Sequence, residues 1–99
     1  MEWVQIQFPR EIRGIKAVEV SKRTREFTRF SQVELRIGNV DESNKGAVQL
    51  SDNQLVGFFG EGVDERIAVF HMVGQVNGRF LTLQRLVDGF ELAEVFIFV

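Results

Sequence analysis

The chain has no cysteine and no tyrosine, and only one histidine, one proline and one tryptophan. Each shortage closes a class of explanation. Without cysteine there is no disulfide framework, no thiol nucleophile and no thiolate metal site. One histidine cannot build a multi-histidine metal cluster, and it leaves His71 as the sole histidine for a Ser-His-Asp arrangement. No apolar run is long enough to span a bilayer as a helix, so membrane insertion is not expected. Charge of neither sign dominates. Twelve basic residues stand against 14 acidic ones, a net charge of −2. No global field therefore draws the chain to nucleic acid or to an anionic membrane, and no nucleic-acid partner is expected. Met1 is not followed by an apolar leader. That leaves both a cytosolic location and a leader already removed open.

What remains is ordinary globular material. The chain of 99 residues is 44% hydrophobic and 26% charged, which implies one folded domain with a small core and argues against disorder. Its ten phenylalanines lack a hydrogen-bonding handle, so they are mass for a core or an interface.

Alternation is the dominant pattern. In "WVQIQF", Val4, Ile6 and Phe8 share one face, and Trp3, Gln5 and Gln7 share the other. Val18 and Val20 repeat it, as do Val33, Leu35 and Ile37 against Glu34 and Arg36. A period of two predicts half-buried strands. Residues 47–50, 66–73, 79–86 and 91–99 are further strand candidates, rich in β-branched and aromatic residues. Pro9 is expected to close the first strand and Gly38-Asn39 the third. Asn77-Gly78 and Asp88-Gly89 carry the signal of type I′ hairpins. The glycine-broken stretch "DNQLVGFFGEGV" (52–63) reads as a loop or a short bridge. No capped helix is evident. About seven short strands in one small domain imply a β-sandwich or jelly roll.

One stretch stands apart. "SKRTREFTR" (21–29) puts three arginines and a lysine into nine residues, with Phe27 among them, between two strand candidates. With a single aromatic it is too poor in stacking groups for a nucleic-acid surface. Elsewhere, "DESN" (41–44) and "DN" (52–53) are oxygen-rich but fit no calcium-loop spacing, and read as solvated turns. His71 shares a face with Val69 and Val73 and reads as a packed or rim histidine. Trp3 reads as core rather than as a sugar platform. Asp64 and Glu65 are adjacent on the chain, so on a strand they would point to opposite faces and make no acid/base pair.

Three stretches, taken in order, resemble a known family. "EWVQIQF" is similar to the tryptophan-led strand of discoidin-type and fucose-binding domains. "VEVSKRTREFTRFSQVELRIGN" (18–39) resembles the central segment of F-type lectins (fucolectins), and "GRFLTLQ…FELAEVFIF" (78–98) resembles their closing segment. The resemblance spans nearly the whole chain and corresponds to about the C-terminal two-thirds of a full lectin domain. It implies an all-β fold, a galactose-binding-like jelly-roll β-sandwich shortened at the N-terminus. It also implies a non-catalytic recognition role, a glycan or glycoprotein ligand, and secretion.

In those lectins the later binding pattern is Arg-x-Asp followed, five residues after the aspartate, by Arg or Lys. Here Lys22 falls on the first basic position and Arg29 on the second, with Arg23 beside Lys22. Thr24 stands at the aspartate position, and Arg25 and Glu26 at those of two adjacent cysteines. A guanidinium donates several hydrogen bonds in a fixed fork, suited to neighbouring sugar hydroxyls. Phe27 would replace the cysteine pair as the apolar platform under the sugar. The ligand-binding set implied by the resemblance is therefore Lys22, Arg23, Phe27 and Arg29. The family's calcium loops and its early histidine correspond to positions before Trp3, so no cofactor is expected. The alternative is an interaction or oligomerisation module on the same fold, with the 21–29 charges merely solvated. A sandwich short of its first strands exposes edges and apolar surface, which favours a homo-oligomer.

Overall fold

A computed structural model describes residues 2–21, 32–43, 52–59, 67–85 and 94–99. Seven β-strands are formed: β1 (Glu2–Ile12), β2 (Ala17–Ser21), β3 (Val33–Gly38), β4 (Gln54–Phe59), β5 (Ile67–His71), β6 (Gly78–Arg85) and β7 (Glu94–Phe98). They make two antiparallel sheets, one of four strands in the order β1-β6-β3-β4 and one of three in the order β5-β2-β7. No helix occurs among the described residues.

Alternation sorts the side chains as the sequence implies. Val18 and Val20 from β2, Val33, Leu35 and Ile37 from β3, and Leu81 and Leu83 from β6 point into a shared core with Ile15, Phe70 and Val76. Ile6, Phe8 and Ile12 of β1, Val56 of β4, and Val95 and Ile97 of β7 close its margins. The antiparallel register locks this pattern: Leu35 faces Leu83 and Ile37 faces Leu81 across β3 and β6. A slip of one residue would turn every one of these side chains outward.

Several expectations are corrected. The 52–63 stretch is not a loop, because Gln54–Phe59 forms edge strand β4 on β3. Its Gly57 is a packing device rather than a breaker. A Cβ there would collide with the ring of Phe70, which crosses from the other sheet. Pro9 does not end β1. The strand runs on to Ile12 through an irregularity between Gln7 and Ile12. Proline is tolerated there because β1 is an edge strand. The Phe8 carbonyl beside it accepts a hydrogen bond from Arg79 Nε at 3.0 Å.

Asn77-Gly78 makes no hairpin, since β5 and β6 lie in different sheets. Asn77 instead accepts the Gly14 amide on its Oδ1 at 2.8 Å. β6 and β7 also belong to different sheets, so they are not hairpin partners, and Asp88-Gly89 itself lies outside the described residues. The strand expected at 47–50 lies outside them too. His71 is exposed rather than packed, as are Val69 and Val73, because Phe70 is the residue of β5 that turns inward.

The short crossings Arg13–Lys16 and Met72–Asn77 join the two sheets at one end. There the Ile15 amide donates to Val76 at 2.9 Å, Lys16 donates to Phe98 at 2.7 Å, and Met72 donates to Lys16 at 2.9 Å. At the opposite end Ser21 aligns with Ile67 and Glu94, and Val33 aligns with Phe59 and Arg85. The strand ends flanking residues 22–31, 60–66 and 86–93 therefore share that end.

Gly57→Ala is expected to destabilise the protein by about 1–3 kcal/mol, because an added methyl must displace a buried ring. Combining it with Phe70→Leu should cost less than the sum of the two single losses, since the two positions share one space. Urea denaturation of the four proteins checks this.

Candidate functional site

The sequence-derived ligand set Lys22, Arg23, Phe27 and Arg29 lies outside the described residues, as do Thr24, Arg25 and Glu26. What the fold does define is where that stretch attaches. β2 ends at Ser21 in the three-stranded sheet and β3 begins at Val33 in the four-stranded one. The connection therefore passes from one sheet to the other.

A second polar region, which local sequence reasoning takes for solvated turns, is built on the outer face of the four-stranded sheet. That face is a grid set by strand register. One row runs Trp3, Gln84, Glu34, Phe58, and the next runs Gln5, Thr82, Arg36, Leu55. Residues 39–43 and 52–53 fold back over the second row. Gln5 anchors them, because its Nε2 donates to Asp41 Oδ1 at 2.9 Å and its Oε1 accepts the Glu42 amide at 2.7 Å. Glu42 is buried and accepts the Asp52 amide on its Oε1 at 2.8 Å. Asn53 is buried too. Its Oδ1 accepts the Val40 amide at 3.0 Å and its Nδ2 donates to the Val40 carbonyl at 2.9 Å. The side-chain amide of Asn53 thus takes the place of a backbone pair.

Arg36 ties this strap to the sheet. Its Nη1 donates to the Asn53 carbonyl at 2.8 Å, its Nε donates to Glu34 Oε1 at 2.8 Å, and its Nη2 lies 2.7 Å from the same oxygen. Both side chains are largely buried, so this short contact is better shielded from water than a surface pair. On β6, Thr82 stands between Gln5 and Arg36 and Gln84 between Trp3 and Glu34, and the two are 1% and 3% exposed. Neither Thr82 Oγ1 nor Gln84 Nε2 finds a hydrogen-bond partner. Phe58, at the end of the first row, is 53% exposed.

No cavity forms among the described residues, and no group of three acidic or histidine side chains stands close enough to hold a metal ion. No helix among them is long and apolar enough to cross a membrane. Comparison with protein-family models, curated proteins and solved structures found no match to this chain.

The hydrogen bond from the Gln5 amide, reinforced by the Ser43 amide and hydroxyl, holds the exposed Asp41 carboxyl below its ordinary value of 3.8. A depressed folded value stabilises the fold above 3.8, and that contribution is lost as pH falls through the folded midpoint. An NMR titration is expected to place the Asp41 midpoint below 3.8 and, in Gln5→Leu, to move it back toward that value.

Proposed function

We propose that the protein is a non-catalytic carbohydrate-recognition module, with a lectin-like site on the 21–29 segment in which Lys22, Arg23 and Arg29 donate to sugar hydroxyls and Phe27 covers an apolar sugar face. The galactose-binding-like jelly roll is the architecture this reading carries with it. Support comes from connectivity: the chain passes between sheets at β1–β2, β2–β3, β4–β5, β5–β6 and β6–β7. One observation carries the functional part. The strand ends flanking 22–31, 60–66 and 86–93 meet at one end of the sandwich. Binding groups concentrate on connections held by a rigid scaffold. The first of these segments contributes Lys22, Arg23, Arg25, Glu26 and Arg29, and the others contribute Glu61, Asp64, Glu65, Arg66, Asp88 and Glu91. Mixed donors and acceptors suit a neutral, hydroxyl-rich ligand, whereas a phosphate ligand would select basic groups alone.

A glycan array containing fucosylated structures tests the reading. Binding is expected, and Arg29→Ala should weaken it about tenfold or more, the effect of losing a charged hydrogen bond to the ligand. No binding by the unaltered protein removes the proposal.

A second reading, a self-assembling interaction module, is favoured by one specific feature. The outer face of the three-stranded sheet presents Val69, Phe96 and Phe98, each more than two-fifths exposed. Phe96 and Phe98 are neighbours on one face of β7, with Glu19 between Phe96 and Val69, and exposed apolar side chains of this kind mark contact surfaces. Sedimentation of the unaltered protein is expected to show a dimer or higher species, and Phe96→Gln with Phe98→Gln is expected to shift it to monomer. A monomer at high concentration before mutation sinks this reading.

A further inference from the structure

The outer face of the three-stranded sheet is open, and strand register fixes what it presents. One row runs Val69, Glu19, Phe96 and the next runs His71, Ala17, Phe98, with Ser21 and Glu94 beyond the first. Val69, His71, Phe96 and Phe98 are exposed. Three corners of this patch are therefore apolar, the fourth is a histidine, and a carboxylate stands on the middle strand. Neither the Glu19 carboxylate nor the His71 ring makes a hydrogen bond or ion pair among the described residues. An apolar patch that holds an unmatched acid and an unmatched base is complementary to itself.

We infer that a second copy of the chain covers this face in an offset antiparallel register, with Phe96 against the partner's Phe98 and Glu19 beside the partner's His71. The inference rests on the self-assembly reading above and supplies its geometry. Two identical faces meet about a two-fold axis. Three registers keep both rows and all three strands covered. With the axis along β2, each row meets itself and Glu19 lies against the partner's Glu19. With the axis across the strands at the Glu19 row, the same two carboxylates meet. Like charges closed together under an apolar contact oppose association. With the axis across the strands midway between the rows, each row meets the other. Phe96 then lies over the partner's Phe98, and the axis repeats that aromatic contact. Glu19 lies over the partner's Ala17, whose small side chain leaves it room, one strand spacing or about 5 Å from the partner's His71. Glu94, the other charged group on this face, lies toward the end that holds the partner's Lys16, whose amide donates to Phe98 in each copy.

The size of the face sets the strength of the contact. Its three strands have five residues each. They span about 14 by 17 Å, which puts the pair among small, reversible interfaces. Histidine gains a positive charge between about pH 8 and pH 5, so the contact with Glu19 tightens as pH falls over that range.

Sedimentation of the unaltered protein up to millimolar concentration is expected to show a dimer that is several-fold tighter at about pH 5.5 than at about pH 8. Glu19→Gln should weaken the dimer about two- to fivefold, the scale of an exposed ion pair, and His71→Gln should abolish the pH response. Glu19→Lys should weaken it further, and Glu19→Lys combined with His71→Glu should restore it, because the swapped pair attracts only where position 19 of one copy meets position 71 of the other. None of these positions lies in the core, and an unchanged melting temperature checks that the fold is kept. The inference is overturned if Glu19→Gln tightens the dimer, which places two Glu19 carboxylates together, or if the swapped pair fails to restore it. A protein that stays monomeric at every pH removes the self-assembly reading as well, whereas a dimer that lacks this register overturns the inference alone.

Discussion

The structure depends on β6 being covered on both faces. Its Leu81 and Leu83 face the sandwich core, and its Phe80, Thr82 and Gln84 face the other way, yet all five are buried. A strand buried on both sides fixes its two neighbours and everything attached to them. β3 pairs with it along its whole length and β1 over Glu2–Gln7 and again at Ile12, and β4 is reached only through β3. Among the described residues, polar side chains and the strap of residues 39–43 and 52–53 are bonded across that outer face. That choice has a consequence for satisfaction of hydrogen bonds. The strap needs Gln5, Asn53 and Glu42 to meet its own donors and acceptors, and nothing is left over for Thr82 and Gln84.

How much of this was legible depends on the range of the interaction that decides it. β2 and β3 were readable because their burial alternates along the chain, and their inward residues are those that the period of two selects. β4 was not, because Gly57 carries a local signal for breaking structure while its real role is to admit Phe70 from the opposite sheet. The Asn77-Gly78 signal failed for the same reason: a dipeptide's turn preference cannot report that the chain is changing sheets. The burial of Glu42 hinges on Gln5, which is 37 residues away in sequence. In the sequence, "LTLQ" looks like a strand with one wet face. Only the fold shows that both faces are dry. For the 21–29 segment the sequence supplies residue types and spacing, and the fold adds the two sheets that the segment joins.

The Glu34–Arg36 pair shows why the outer face stays polar. Both residues sit on β3, two positions apart, so their side chains share a face. Arg36 also holds the Asn53 carbonyl, which couples the pair to the strap and to the start of β4. Removing either partner would strand a charge among buried polar groups, which costs far more than the pair itself contributes. The grid therefore resists drift toward an apolar surface. It keeps charged and amide groups at fixed positions beside Trp3 and Phe58, where an apolar sheet of the same shape would be stickier and less selective.

The two ends of the sandwich are built differently. At one, short crossings and backbone hydrogen bonds draw the sheets together. At the other, the strand ends open onto longer connections rich in charge. The row Trp3, Gln84, Glu34, Phe58 lies one residue from the β3 and β6 ends on that second side. Positions on the sheet face are held at a spacing that the backbone fixes, so a change at any of them is felt by the strands on either side. Gln84 and Glu34 sit on the two strands that have neighbours on both sides, and the register of the whole four-stranded sheet therefore passes through this row.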